Sequence, residues 1–158
     1  MNNTKNMNDA WVKLADYGDH PHARGLQRLT REAAEKIVKH NSSLIARLKR
    51  SFGGVPVYIG HPDDPAYHGR PGHTDTRAYA WIHELQARAD GLWALPTWSK
   101  NGHELMENAH YKHLSPRWKL VENTDGSWQP VELISVGLTN LPNILGPTIA
   151  NEIADEGS

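Results

Sequence analysis

RAYAWIHELQARADGLWALPTW, residues 77–98, reads as two strands joined by a tight turn. Tyr79, Trp81, His83 and Leu85 recur every second residue, the period of an extended strand, and this predicts that they share one face. Asp90-Gly91 is a dipeptide of two-residue hairpin turns. LWALPTW (92–98) is then the returning strand. A hairpin here makes an antiparallel sheet the basis of the fold.

Working outward, the same period recurs on both sides. AWVKLADY (10–17), VPVYIG (55–60), YKHLSPRWKLV (111–121) and PVELISVGLT (130–139) are further strands, the last two separated by a second turn at Asp125-Gly126. GDHPHARG (18–25) and HPDDPAYHGRPGHTD (61–75) carry Gly and Pro without periodicity and read as loops. Thr30 is a helix N-cap candidate, with Glu32 in the first turn. Behind it Ala34, Ile37, Val38, Asn41, Ile45 and Leu48 recur at helical spacing, with a break near Asn41–Ser43. Asn101 and Glu104 resemble a capping box before a short helix containing Leu105, Met106 and Ala109. About six strands follow one another mainly through turns. The expected class is α+β and β-rich, a mostly antiparallel sheet or small β-barrel with flanking helices. The expected organisation is a disordered start at 1–10, one domain over 11–147 and a polar tail over 148–158.

Composition narrows the function classes. The 158 residues suffice for one domain with a core, and the net charge of −1 gives no basic field for nucleic acid. No stretch approaches the roughly 20 apolar residues of a membrane span. No cysteine is present, which excludes disulfides, thiolate metal sites and cysteine catalysis. With no hydrophobic run at the start, an intracellular setting is the expectation.

Three stretches could carry chemistry. In VYIGHPDD (57–64), Val57, Ile59 and His61 share strand parity, so His61 is expected to leave the strand end on the core side, where it could serve as a general base. It could equally cap the sheet. In the strand 111–121, Tyr111, His113 and Ser115 share a face, and Pro116 follows directly. The residue after an elbow serine donates its N–H to the oxyanion, and proline has none. Ser115 is therefore either an ordinary serine beside an edge proline, or a nucleophile whose oxyanion donors lie elsewhere. In ISVGLTNLPN (134–143), Gly137 marks a bulge or a close backbone approach. Ser135, Thr139 and Asn140 are polar groups in a buried-looking run, and either brace the strand end or belong to a site. DHPH (19–22) and GHPDD (60–64) offer imidazole and carboxylate, but at no defined ligand spacing, so neither a metal nor another cofactor is expected.

Taken together, GHPDD, YKHLSP and LISVGLTNLPN, in that order, resemble the Mu-like prophage I protein family, over about Val55 to Asn143. The resemblance implies a phage head maturation protease, similar in fold to prohead proteases and the herpesvirus assemblin. It places the nucleophile at Ser115 and the base at His61. Related enzymes carry an acid or a histidine where this chain has Ser135, so Ser135 is the expected third member, with Glu132, Asp63 and His113 as substitutes. Oxyanion support is expected from the segment that begins at Thr139 and Asn140. The implied substrates are phage scaffold and capsid proteins, cleaved inside the prohead in the bacterial cytoplasm, with room for a homo-oligomer and no nucleic-acid or membrane partner. The competing expectation is an inactive phage assembly protein that keeps the protease fold.

Overall fold

The structure is a computed structural model that describes residues 10–21, 25–43, 47 and 53–140, and the backbone of 152–153. The predicted tail at 148–158 lies largely outside these residues, as does nearly all of the segment 1–10.

Among the described residues, nine strands form one sheet: β1 (Val12–Asp16), β2 (Gly18–His20), β3 (Gln27–Leu29), β4 (Val55–Ile59), β5 (Ala80–Arg88), β6 (Gly91–Trp98), β7 (His113–Glu122), β8 (Trp128–Thr139) and β9 (Glu152–Ile153). They run in the order β1-β6-β5-β4-β8-β3-β2, with β7 paired to β8 and β9 to β7. Most neighbours are antiparallel, while β8 pairs parallel with both β3 and β4. β1 comes against β7, so the sheet curls into a nearly closed barrel. The fold is thus α+β and β-rich.

β8 is the organising strand because three neighbours use it. β7 lies along its whole length, β4 meets it at Val136–Leu138 and β3 at Trp128. Across β7, β8 and β4 the rows Pro116–Val136–Val57 and Leu114–Leu138–Ile59 face the core, where Val57, Val136 and Leu138 are buried with Trp118, Leu120 and Leu133. The alternate rows, Ser115–Gly137–Tyr58 and Arg117–Ser135, face the other side. A register shift lies between Ser135 and Leu133, so Leu133 returns to the core.

The helix α1 (Arg31–Ser42) starts as read from sequence: Thr30 Oγ1 accepts a hydrogen bond from the Ala33 amide at 3.0 Å. It buries Ala33, Ala34 and Ile37. Near its end, Asn41 makes two bonds to one residue of β8: Nδ2 donates to the Leu133 carbonyl and Oδ1 accepts from the Leu133 amide, at 3.1 and 3.2 Å. The side chain thereby docks the helix at the register shift. Asn41→Ala removes both bonds, and a loss of about 1–3 kcal/mol in chemical denaturation is expected.

Several local readings are corrected. Residues 18–20 form β2, paired with β3, although Gly and Pro suggested a loop throughout 18–25. The face proposed as Tyr79, Trp81, His83 and Leu85 does not exist. A shift in register between Ile82 and Glu84 absorbs His83, so Ala80, Ile82 and Leu85 are buried while Trp81 and His83 are exposed. The second helix, α2 (Lys100–Glu107), is capped by Ser99, whose Oγ accepts from the Gly102 amide at 3.0 Å; Asn101 lies inside the helix. Ser99 also donates to the Tyr79 carbonyl, which ties α2 to the start of β5.

Candidate active site

His61 and Ser115 meet. His61 Nε2 lies 3.0 Å from Ser115 Oγ, and both residues are 2% exposed. The parity argument that pointed His61 toward the core is corrected. β4 ends at Ile59, and Gly60 takes φ +67, a left-handed conformation that glycine adopts readily. The Gly60 amide still donates to the Leu138 carbonyl at 3.0 Å. The chain then turns, and His61 falls on the face opposite the core, the face of Gly137 and Ser115.

Gly137 makes room for the ring. A Cβ placed there would sit 2.3 Å from the Gly60 carbonyl oxygen and 2.8 Å from His61 Cε1 and Nε2. Of the two sequence readings of Gly137, the close approach therefore holds at this residue, and the register shift falls further back on β8.

The loop after His61 is built of turns. His61 accepts from the Asp64 amide at 3.1 Å, with Pro62 in the second position of the turn, where its fixed φ suits it. Asp64 Oδ1 caps the 3-10 turn Pro65–Tyr67 by accepting from the Ala66 amide. These turns carry two carboxylates to Arg117, one row along from Ser115. Arg117 Nη1 lies 3.0 Å from Asp63 Oδ2, and Arg117 Nε lies 3.8 Å from Asp64 Oδ2. Arg117 and Asp64 are both 5% exposed. Ser135 Oγ donates to the same Asp63 oxygen at 2.7 Å.

Ser135 therefore holds Asp63 and does not reach the imidazole. Glu132 lies elsewhere, paired with His40 at 3.0 Å. His113 is exposed at the start of β7, opposite Thr139. Asn140 Nδ2 donates to the His110 carbonyl. Of the acids weighed, Asp63 is the one at the site. His61 Nδ1 and Asp63 Oδ1 are both buried and, among the described residues, neither has a hydrogen-bond partner. Also among these residues, no group of three His, Cys, Asp or Glu side chains is arranged to hold a metal ion.

Arg117 was missed in the sequence. Its signal was a cation within the buried run Ser115–Trp118, because an arginine is rarely buried unless it is paired.

Burial sets the protonation of His61. It lowers the pKa from 6.5 to about 4, against the opposing pull of Asp63 and then Asp64, and with His73 and Arg117 adding to the lowering. At neutral pH the imidazole is uncharged and able to accept a proton. Unfolded, it binds a proton near 6.5, and folded only near 4, so the unfolded chain gains protons first as pH falls. This group should cost the fold on the order of 3 kcal/mol between those limits, and nothing further below them. Urea denaturation from pH 7 to pH 4 measures it, and a His61→Gln variant should show a shallower decline.

The family model for the N-terminal domain of Mu-like prophage I protein matches residues 13–149. No curated protein and no solved structure matches the chain.

Proposed function

Because the chain belongs to the Mu-like prophage I protein family, and is thereby phage-related, we propose that it is a serine endopeptidase of phage head maturation. The single observation that carries this reading is the buried 3.0 Å contact between His61 Nε2 and Ser115 Oγ. A nucleophilic serine needs a base within that reach, and His61 is neutral where it would act.

In this mechanism Ser115 Oγ attacks a substrate carbonyl while its proton passes to His61 Nε2. The imidazolium that forms lies beside Asp63, Asp64 and Arg117, two negative charges and one positive. The net negative charge favours it, and Asp63 serves as the carboxylate of the site, anchored by Ser135 and Arg117. Pro116 has no N–H to offer, so the oxyanion donors lie outside position 116. His61 returns the proton to the leaving amine, and water releases the acyl group. The substrates are scaffold and capsid proteins inside the prohead in the host cytoplasm, and the barrel is a variant of the prohead protease and assemblin fold.

A second reading, an inactive assembly protein with the same fold, rests on His61 Nδ1, which lacks a partner among the described residues. The two separate by incubating the chain with phage capsid and scaffold proteins. The protease reading expects cleavage that Asp63→Asn lowers by about 10-fold or more, since a charge that stabilises imidazolium is removed. Intact substrates in every condition favour the inactive reading.

A further inference from the structure

The loop 61–73 returns to the residue from which it starts. After the turn at His61 come hydrogen bonds from the Tyr67, His68, Arg70 and His73 amides to the carbonyls of Asp64, Pro65, Tyr67 and Arg70. This succession of turns ends with His73 Nδ1 2.9 Å from the backbone amide of His61. A backbone N–H can only donate, so Nδ1 accepts and the His73 proton sits on Nε2. Behind it the Tyr67 ring stacks on His73 with centroids 4.3 Å apart, and the His61 ring lies 6.3 Å from His73 and nearly parallel to it. Packing against Gly60 closes the arrangement. A Cβ there would lie 2.3 Å from the Gly72 carbonyl oxygen and 2.6 Å from His73 Nδ1.

We propose that His73 is the positioning residue for His61, fixing its backbone by accepting the His61 amide proton, and that it does so only while its imidazole is neutral. The inference rests on the protease reading for its effect on catalysis, and on geometry alone for the hydrogen bond. Gly60 is left-handed, so the direction in which the chain leaves β4 is set by whatever holds the next amide. His73 holds it. A proton on Nδ1 turns the acceptor into a donor facing another donor, and the bond must break. His61 then loses its anchor 12 residues away.

The groups facing His73 are Arg70 and Tyr67 from its own loop, Asp64 at the turn, and His61. Burial first, and then Arg70, lower the His73 pKa below its ordinary value, opposed by Asp64. The anchor therefore holds at neutral pH and is lost on acidification.

The test uses His73→Asn and His73→Leu in the full chain. Asparagine places Oδ1 where Nδ1 stands and does not titrate, whereas leucine offers no acceptor. Two readouts apply: hydrogen exchange of the His61 amide, and the rate of Ser115 labelling by a fluorophosphonate from pH 8 to pH 5. The expected results are a slow-exchanging His61 amide in the wild type and His73→Asn, and a fast one in His73→Leu. Labelling at pH 8 should be near wild type for His73→Asn and lower by about 10-fold or more for His73→Leu, the scale on which small misplacements of a reacting group act. On acidification His73→Asn should retain more of its rate than the wild type. Unchanged His61 exchange in His73→Leu, or a His73 tautomer protonated at Nδ1 by nitrogen NMR, overturns the proposal. If the wild type is never labelled, the protease reading fails, and amide exchange still decides whether His73 holds His61.

Discussion

Ser115→Ala is expected to abolish peptide-bond cleavage, and His61→Ala to lower it by about 10³-fold, the middle of the range for removing a positioned general base. Both effects should appear without a collapse of the fold. The two side chains lie on the face of β7 and β8 opposite the core, so removing them leaves the rows containing Val57, Val136, Leu138 and Trp118 untouched. The His61→Ala variant also removes a buried imidazole that resists protonation, which makes the folded protein less sensitive to acid between pH 6.5 and about 4. Loss of cleavage with retained or improved stability at pH 5 is therefore the combined signature. A His61→Ala variant that cleaves like the wild type would remove the base from the account.

The second large effect is at Gly137. Gly137→Ala adds one methyl group where the Gly60 carbonyl oxygen is 2.3 Å away and the His61 ring atoms are 2.8 Å away. The ring could yield alone, but the Gly60 carbonyl belongs to the backbone that carries it, so β4 and β8 must part or the His61 turn must shift. Overpacking of this kind costs about 1–3 kcal/mol. The cost to chemistry is larger, because even a 1 Å displacement of a reacting group lowers rates by about 10²-fold. Denaturation and labelling together check it: a modest loss of stability with a nearly complete loss of Ser115 reactivity is expected. The same methyl at Gly126, where nothing lies within 4 Å, meets no neighbour. Its positive φ of +87 adds only local turn strain, so Gly126→Ala should leave Ser115 reactivity unchanged.

Much of this was legible in the sequence, for physical reasons that also mark where it stopped. Asp90-Gly91 and Asp125-Gly126 each announced a turn one residue late: Arg88 pairs with Gly91, so Ala89 and Asp90 make the first, and the Gly126 amide donates to the Asn123 carbonyl, so Thr124 and Asp125 are at the centre of the second. Thr30 announced its helix because a side-chain oxygen must satisfy an early amide. The face of β5 was misread at His83. A bulge is decided by the neighbouring strand, and period-2 counting cannot see it. Ser99 lost to Asn101 in the reading of α2 because both precede a plausible first turn, and the contact with the Tyr79 carbonyl that selects Ser99 is tertiary.

At the site, Ser115 and His61 were recovered as a pair, yet His61 was placed by strand parity when a left-handed Gly60 sets its position. Ser135 was named as a third member because the family resemblance puts an acid or a histidine at its place, but its hydroxyl binds Asp63. Arg117 and His73 were missed because their partners lie 54 and 12 residues away, respectively. Pro116, read from the sequence for its missing N–H, sits in a core row opposite Val136 and fills space there.

The most direct test of the account is the mass of the protein after reaction with a fluorophosphonate at pH 8, followed by peptide mapping. The account predicts one adduct, located on Ser115, absent in Ser115→Ala and formed at least about 10²-fold more slowly in His61→Ala. An adduct on another residue, or equal labelling of wild type and His61→Ala, would contradict it.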